Sequence, residues 1–257
     1  MISIMKQNKD HPFITFCFGI LLIVLLIQLA GTLKGDRLVF PPVREILSAF
    51  LGLLGSGKTY TLILTTLTHL CLVLLLSTVI GICLGLCEGI FPIVRSLLTP
   101  LMIFLRSIPM IVLVILIMVI IPYKHVPLLA SSLVLIPMIS EAVYEGCQRI
   151  DPELIDVYRL NSNLSPNILV HVYLPLIAGY TRQAYISAAG MGVKMVVSTE
   201  YLVQTRNSLG KAIYTSSYFN QYSEIYAYAL IMILLVLLIS EIPLWLGQTL
   251  QKREETA

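Results

Sequence analysis

The residues with the most recognisable chemical spacing are Gly52-Leu53-Leu54-Gly55-Ser56-Gly57-Lys58-Thr59, which fit the GxxxxGK[ST] pattern. That pattern cradles phosphates when it follows a buried strand and opens a soluble helix. Here the preceding segment has helical periodicity, the following one is a long apolar run, and no apolar strand ending in an acid supplies a metal-binding partner. The expectation is therefore a Gly/Ser turn with Lys58 at a membrane interface. Cys83 and Cys87 share a helix face and could in principle hold a metal, but Glu88 is the only other ligand type nearby. With Cys17, Cys71 and Cys147 they read as small apolar side chains, and none belongs to a CxxC. His69 and His171 read as isolated and structural. The remaining candidates are charges inside apolar runs: Arg106, Glu141, Arg182 and Lys194. Stranding such a charge in lipid costs roughly 3 kcal/mol or more, so each either serves a solute pathway, pairs internally or snorkels to the surface, the last fitting Lys194 at least as well.

The elements that position them are set by composition. Of 257 residues 57% are hydrophobic and 12% charged, and the mean hydropathy is +0.89. Soluble domains carry roughly 25% charged residues. A chain this poor in polar groups needs lipid as its partner and is an all-α integral membrane protein, because its apolar runs lack the alternation of barrel strands. The net charge of +3 comes with no basic run, which excludes nucleic acid as a partner.

Six transmembrane helices are expected, at about 13–31, 61–86, 93–121, 126–146, 171–199 and 222–247, forming a single transmembrane domain over 1–257. The first follows Lys6 and Lys9 and lacks a small-residue cleavage site, so it reads as an uncleaved span. Before the second, Val43, Ile46, Leu47 and Phe50 form the apolar stripe of an interfacial helix. Gly81 and Gly85 allow close helix contact in the second span. Pro109, beside Arg106 and Ser107, breaks the third. The fourth carries Pro137, Ser140 and Glu141 towards its end. Arg182 lies about ten residues, or ~15 Å, into the fifth, near the midplane; Lys194 is about 120° further round and closer to the outer end. Tyr214, Tyr218, Tyr222, Tyr226 and Tyr228 read as an aromatic belt around the last outer loop. Lys and Arg residues count seven on each side of this topology, so charge bias does not orient the chain.

The longest polar interruption of the second half is Asp151 to Pro175. Asp151-Pro152-Glu153 is a helix start, with Leu154, Val157 and Tyr158 on one apolar face. Asn161-Ser162-Asn163 is turn chemistry, and Ser165-Pro166 starts a second helix. This loop resembles the cytoplasmic coupling loop of binding-protein-dependent ABC importer permeases, whose pattern is EAA, three residues, Gly, nine residues, Ile, one residue, Leu-Pro. The matching positions are Asp156-Val157-Tyr158, Ser162, Val172 and Leu174-Pro175; the spacing is kept, while EAA has become DVY and Gly has become Ser. Pro41-Pro42-Val43, Arg106-Ser107-Ile108-Pro109, Asp151-Pro152-Glu153-Leu154 and Glu200 are similar to the nitrate/sulfonate/taurine group, so the likeness covers residues 40–247.

The resemblance implies a type I ABC importer permease: a non-catalytic, multi-pass subunit of a bacterial-type inner membrane, with both termini cytoplasmic. It implies a second permease copy or homologue, two ATPase subunits that bind the ATP, and an extracytoplasmic substrate-binding protein; no cofactor belongs to the chain itself. The solute would be a small anion such as a sulfonate, nitrate or bicarbonate, or a vitamin precursor. Coupling to the ATPase falls to Leu154, Asp156, Val157, Tyr158, Ser162, Val172, Leu174 and Pro175 in the loop 151–170 and the start of the fifth span. Pathway candidates are Arg106, Ser107, Pro109, Glu141, Arg182 and Glu200. The alternatives are a secondary transporter or channel that uses the buried charges without an ATPase, and a membrane-anchored P-loop NTPase resting on residues 52–59 alone.

Overall fold

The computed structural model describes residues 39–151 and 173–254 together with Leu29 and Gly31, and of 240–254 the helical backbone alone. The described residues are all-helical, without strands: α1 Val43–Gly55, α2 Gly57–Ile90, α3 Pro92–Ser107, α4 Met110–Ile120, α5 Val126–Gln148, α6 Leu174–Val203, α7 Leu209–Tyr218 and α8 Tyr222–Glu254, with a 3-10 turn at Tyr123–His125. The first expected span, 13–31, apart from Leu29 and Gly31, and the loop 151–170, apart from Asp151, lie outside the described residues.

Prolines set most of the boundaries. A proline's Cδ disfavours helical ψ in the residue before it. Phe91, Ile108 and Ile121 precede Pro92, Pro109 and Pro122, and all three are extended, with ψ of 101°, 128° and 145°. α2, α3 and α4 each stop there. The expected third span, 93–121, is consequently not one rod: α3 and α4 meet at 106°. α2, the turn plus α5, and α8 are long and apolar enough to cross a membrane, and the bent α3–α4 pair would make a fourth such span. α6 has 30 residues, ample for a crossing by length, but its polar residues keep it outside that set.

The chain divides into two compact units, Met1–Thr59 with Ile213–Ile231, and Tyr60–Ala212 with Met232–Ala257. In the first, α1 buries Ile46 and half-buries Val43 and Phe50, while Leu47 and Leu51 stay exposed. The apolar stripe read from the sequence is there, with Leu47 on its open edge. Tyr226 donates to the Val39 carbonyl at 3.4 Å. Tyr214 and Tyr218 stack at 6.5 Å, but on a helix where a loop was expected. Tyr228 is buried and so does not belong to an interfacial belt.

The second unit is built around α5, the most enclosed of the apolar helices. Leu135, Ile139 and Val143 of α5 pack between Leu70, Val73 and Leu74 of α2 and Ile177, Ala188, Val193 and Val196 of α6. Lipid is as apolar as leucine, so helices in a membrane associate through close van der Waals contact rather than hydrophobic burial. Gly81, Gly85 and Gly89 supply it. A Cβ on them would sit 2.8 Å from Ile139 Cβ, 2.5 Å from the Ser140 carbonyl and 2.5 Å from Cys147 Cβ respectively. Gly89 extends by one turn the pair legible in the sequence.

Candidate functional site

The phosphate-cradle pattern does not form a cradle. Gly52 and Gly55 are inside α1, Gly57, Lys58 and Thr59 are inside α2, and Ser56 alone breaks the helices. A phosphate nest needs successive free backbone N–H groups. Here the Ser56 N–H bonds the Leu53 carbonyl at 3.1 Å and the Thr59 N–H bonds the Ser56 carbonyl at 3.0 Å. Lys58→Ala is therefore expected to leave ATP hydrolysis by the assembled complex nearly unchanged. A radiolabelled-phosphate release assay checks it, and abolition of hydrolysis with assembly intact would restore the nucleotide reading. Among the described residues no group of three His, Cys, Asp or Glu side chains is placed to hold a metal.

Two of the sequence candidates, Arg106 and Glu141, are brought together, and with them come two residues that sequence reasoning missed. Arg95 on the first turn of α3 donates through Nη1 to Glu88 Oε2 at 2.6 Å and through Nη2 to Glu141 Oε1 at 2.9 Å. Arg106 at the end of α3 donates to Glu141 Oε2 at 3.0 Å and to the Pro137 carbonyl at 2.9 Å. Ser140 donates to the other Glu88 oxygen at 3.3 Å. The Arg95 guanidinium also lies 4.0 Å above the Tyr144 ring, a cation–π contact. Two acids balance two arginines, so the cluster is neutral as a whole. It fastens the end of α2, both ends of α3 and the second half of α5. The Glu88 side chain is 1% exposed, so it has no route to water and depends on these donors. The missed signal was Glu88 and Arg95, seven residues apart around the Phe91-Pro92 break. Ser107 and Pro109 lie beside the cluster, at the elbow between α3 and α4.

Glu200 is 0% exposed. Its carboxylate meets His69 Nδ1 at 2.7 Å and accepts from Thr66 Oγ1 at 2.8 Å and from the Gly210 N–H at 3.3 Å. Thr66 in turn accepts from the Leu209 N–H at 3.0 Å. Glu200 thus places a carboxylate at the free N–H groups that begin α7, where negative charge is favoured. Ser208 caps the same end, accepting from the Lys211 N–H at 3.2 Å. A side chain at position 210 would collide with the backbone N of Tyr201 and with Glu200 Cβ, which is why glycine stands there. His69 is accordingly not isolated; its partner is 131 positions away.

Arg182 and Lys194 are both exposed on α6 and make no hydrogen bond or ion pair among the described residues. Gln183, Ser187, Lys194 and Ser198 recur at helical spacing and form an exposed polar stripe. α2 by contrast exposes Leu64, Leu72, Leu75 and Val79. Arg182 lies off that stripe, on the wall of a cavity shared with Thr78 of α2. Of the coupling candidates, Leu174 and Pro175 form the start of α6, Pro175 in its first turn. Leu154, Asp156, Val157, Tyr158, Ser162 and Val172 lie outside the described residues.

Described residues that are all helical, with helices long and apolar enough to cross a membrane, define a membrane-embedded protein in class. The family model for binding-protein-dependent transport system inner membrane components matches residues 77–255. The chain belongs to that family. Its transport systems work with a substrate-binding protein and an ATPase. Comparison with curated proteins found no match.

Proposed function

We propose that this chain is the pathway-forming subunit of an ABC importer, paired with a second permease copy or homologue and served by two ATPase subunits. The observation that carries the reading beyond the family is the exposed face of α6. A spanning-length helix that turns Gln183, Ser187, Lys194 and Ser198 outward cannot present them to lipid without a cost of roughly 3 kcal/mol for the charge alone. Facing a second copy across a water-filled path removes that cost. α6 begins directly after the loop 151–170, so a push on the loop acts along this helix.

ATP closes the ATPase dimer, the loop carries the movement, and the pathway opens alternately to each side. The permease binds no nucleotide and catalyses nothing. The solute follows the group that the sequence resembles: a small anion such as a sulfonate, nitrate or bicarbonate, or a vitamin precursor. The neutral cluster of Glu88, Arg95, Arg106 and Glu141 keeps α2, α3 and α5 moving as one body. The rival reading, a self-contained secondary transporter, would use the buried charges as an ion relay, whereas the Glu88 and Glu200 carboxylates are already held by Arg95, Ser140, Thr66, His69 and the Gly210 N–H.

The topology is six spans with both termini cytoplasmic. A cysteine introduced at Ser162 should react with membrane-impermeant maleimide from the cytoplasmic side alone, and one at Ser56 from the outside alone. Right-side-out and inverted vesicles make the comparison, and reaction of both from the same face would break this topology.

A further inference from the structure

Tyr180 of α6 sits against the end of α5. A Cβ added to Gly146 would lie 3.2 Å from Cβ, Cγ and Cδ2 of Tyr180, so the ring rests on bare backbone. The guanidinium of Arg149, the residue that ends α5, lies 5.6 Å from the centre of the same ring, within cation–π range. Gly146 and Arg149 are three residues apart and share a face. The chain turns tightly there: the Arg149 N–H bonds the Gly146 carbonyl at 3.2 Å and the Ile150 N–H bonds the Cys147 carbonyl at 3.3 Å. Apolar packing joins the same two ends. Cys147 of α5, Tyr173 just before α6 and Ile177 of α6 are buried in one cluster, with Ile150 and Leu174 against it. These are the residues where the chain leaves α5 for the loop 151–170 and where it returns into α6. Both ends of the loop are therefore fastened at one place.

We infer that Tyr180 and Arg149 form a clamp at the base of the coupling loop, with Tyr180 the positioning residue that makes a push on the loop act on α5 and α6 together. The inference rests on the permease reading above and deepens it by naming side chains that carry the movement without touching the ATPase. Apolar burial is non-directional, so the cluster around Tyr173 and Ile177 holds the helices together yet lets α6 turn about its own axis. A flat ring seated on Gly146 and covered by Arg149 does not allow that turn, because rotation of α6 would pull the ring from its seat. The orientation so fixed is that of the exposed stripe Gln183, Ser187, Lys194 and Ser198 on the same helix. α5 is tied in turn through Glu141 to Arg95 and Arg106 of α3, so movement delivered at the clamp reaches α3 as well as α6. Arg149 is exposed and an exposed cation–π contact is weak; the ring on Gly146 carries most of the hold.

The test uses the complex that the tagged full chain captures from its native membranes, placed in nanodiscs, and needs no knowledge of the solute. Ser187→Cys on the exposed stripe of α6 reports the movement. Its rate of reaction with a membrane-impermeant maleimide is read at that position by peptide mass spectrometry, without nucleotide and after trapping with ATP and vanadate. Without further change the two rates should differ by about fivefold or more, the least that coupling between two sites ordinarily gives. Tyr180→Ala should bring the difference below about twofold while ATPase capture and ATP hydrolysis persist. Tyr180→Phe, which keeps the ring, should respond as the unchanged clamp does. Arg149→Gln should fall between these two, and Arg149→Lys should recover part of its loss. A side chain that serves stability alone would lower the melting temperature without separating hydrolysis from movement. If Tyr180→Ala misfolds, Arg149→Gln against Arg149→Lys decides. A full response in both Tyr180→Ala and Arg149→Gln overturns the inference. So does loss of ATPase capture in Arg149→Gln as severe as in Leu154→Asp, which would make Arg149 part of the ATPase contact. If the wild-type chain captures no ATPase, the permease reading falls and the clamp with it; if capture and the nucleotide response are present and the variants keep both, the clamp alone falls.

Discussion

Arg95→Ala is expected to destabilise the folded chain by about 3–5 kcal/mol, the range for removing one partner of a buried ion pair. The reason is Glu88. With its side chain 1% exposed, the carboxylate cannot recover hydration when the guanidinium goes, and it keeps only the Ser140 hydroxyl at 3.3 Å. Glu141 suffers less, because Arg106 still donates to it at 3.0 Å. Arg95→Lys should lose roughly half as much, since an ammonium keeps the charge but cannot reach Glu88 and Glu141 together while covering the Tyr144 ring. Glu88→Gln should be milder than Arg95→Ala, and the double variant Arg95→Ala/Glu88→Gln should recover part of the loss, because no uncompensated charge remains buried. Thermal unfolding in detergent, followed by size-exclusion chromatography with fluorescence detection, orders the four proteins. If Arg95→Ala melts with wild type, the cluster does not hold α2, α3 and α5 together.

Leu154→Asp and Tyr158→Ala should weaken capture of the ATPase by one to several powers of ten, at about 1.4 kcal/mol for each power. The expectation comes from the apolar face of the helix that Asp151-Pro152 starts, and from the motif spacing that ends in Leu174-Pro175. Burial of one large side chain is worth roughly 1.5–3 kcal/mol, and a few such anchors dominate most interfaces. The aspartate adds the cost of a carboxylate in an apolar groove. Both variants should still insert, because the polar sequence of the loop predicts that it lies outside the bilayer. Ser162→Val should behave differently. Ser162 stands at the family's glycine position, where a β-branched residue misplaces the helix if the turn needs a positive φ; hydrolysis would then continue while uptake falls. Pull-down of the ATPase and uptake into proteoliposomes distinguish the two kinds of defect.

Much of the helical frame was legible because each boundary is a local event. Phe91-Pro92, Ile108-Pro109 and Ile121-Pro122 end helices through the geometry of one residue pair. Gly81 and Gly85 announce a close crossing, although the sequence does not name Ile139 and Ser140 as what lies across it. The angle between α3 and α4 was not legible: a proline says that a helix breaks, not that the next one leaves at 106°. The break at Phe91-Pro92 likewise hid the ion cluster. Helical periodicity relates residues on one helix, but Glu88 and Arg95 lie on two helices whose relative rotation is set by Phe91, and Glu141 is 46 positions from Arg95. The His69–Glu200 contact was lost for the same reason at greater distance. α7 was read as loop because it is 10 residues long, and its start depends on a carboxylate from the preceding helix rather than on its own periodicity. Arg182 was visible as a charge inside an apolar run, whereas its exposed position on α6 was not legible, because it depends on which face of that helix α2 and α5 cover.

The most direct test of the central claim is purification of the affinity-tagged wild-type chain from its native membranes, followed by reconstitution. The expected result is co-purification, in amounts equal to the chain, of a subunit that mass spectrometry identifies as carrying nucleotide-binding motifs, with solute uptake in proteoliposomes that requires ATP and is lost in Leu154→Asp. A chain that purifies without any such subunit and moves solute down an ion gradient in the absence of ATP would contradict the account.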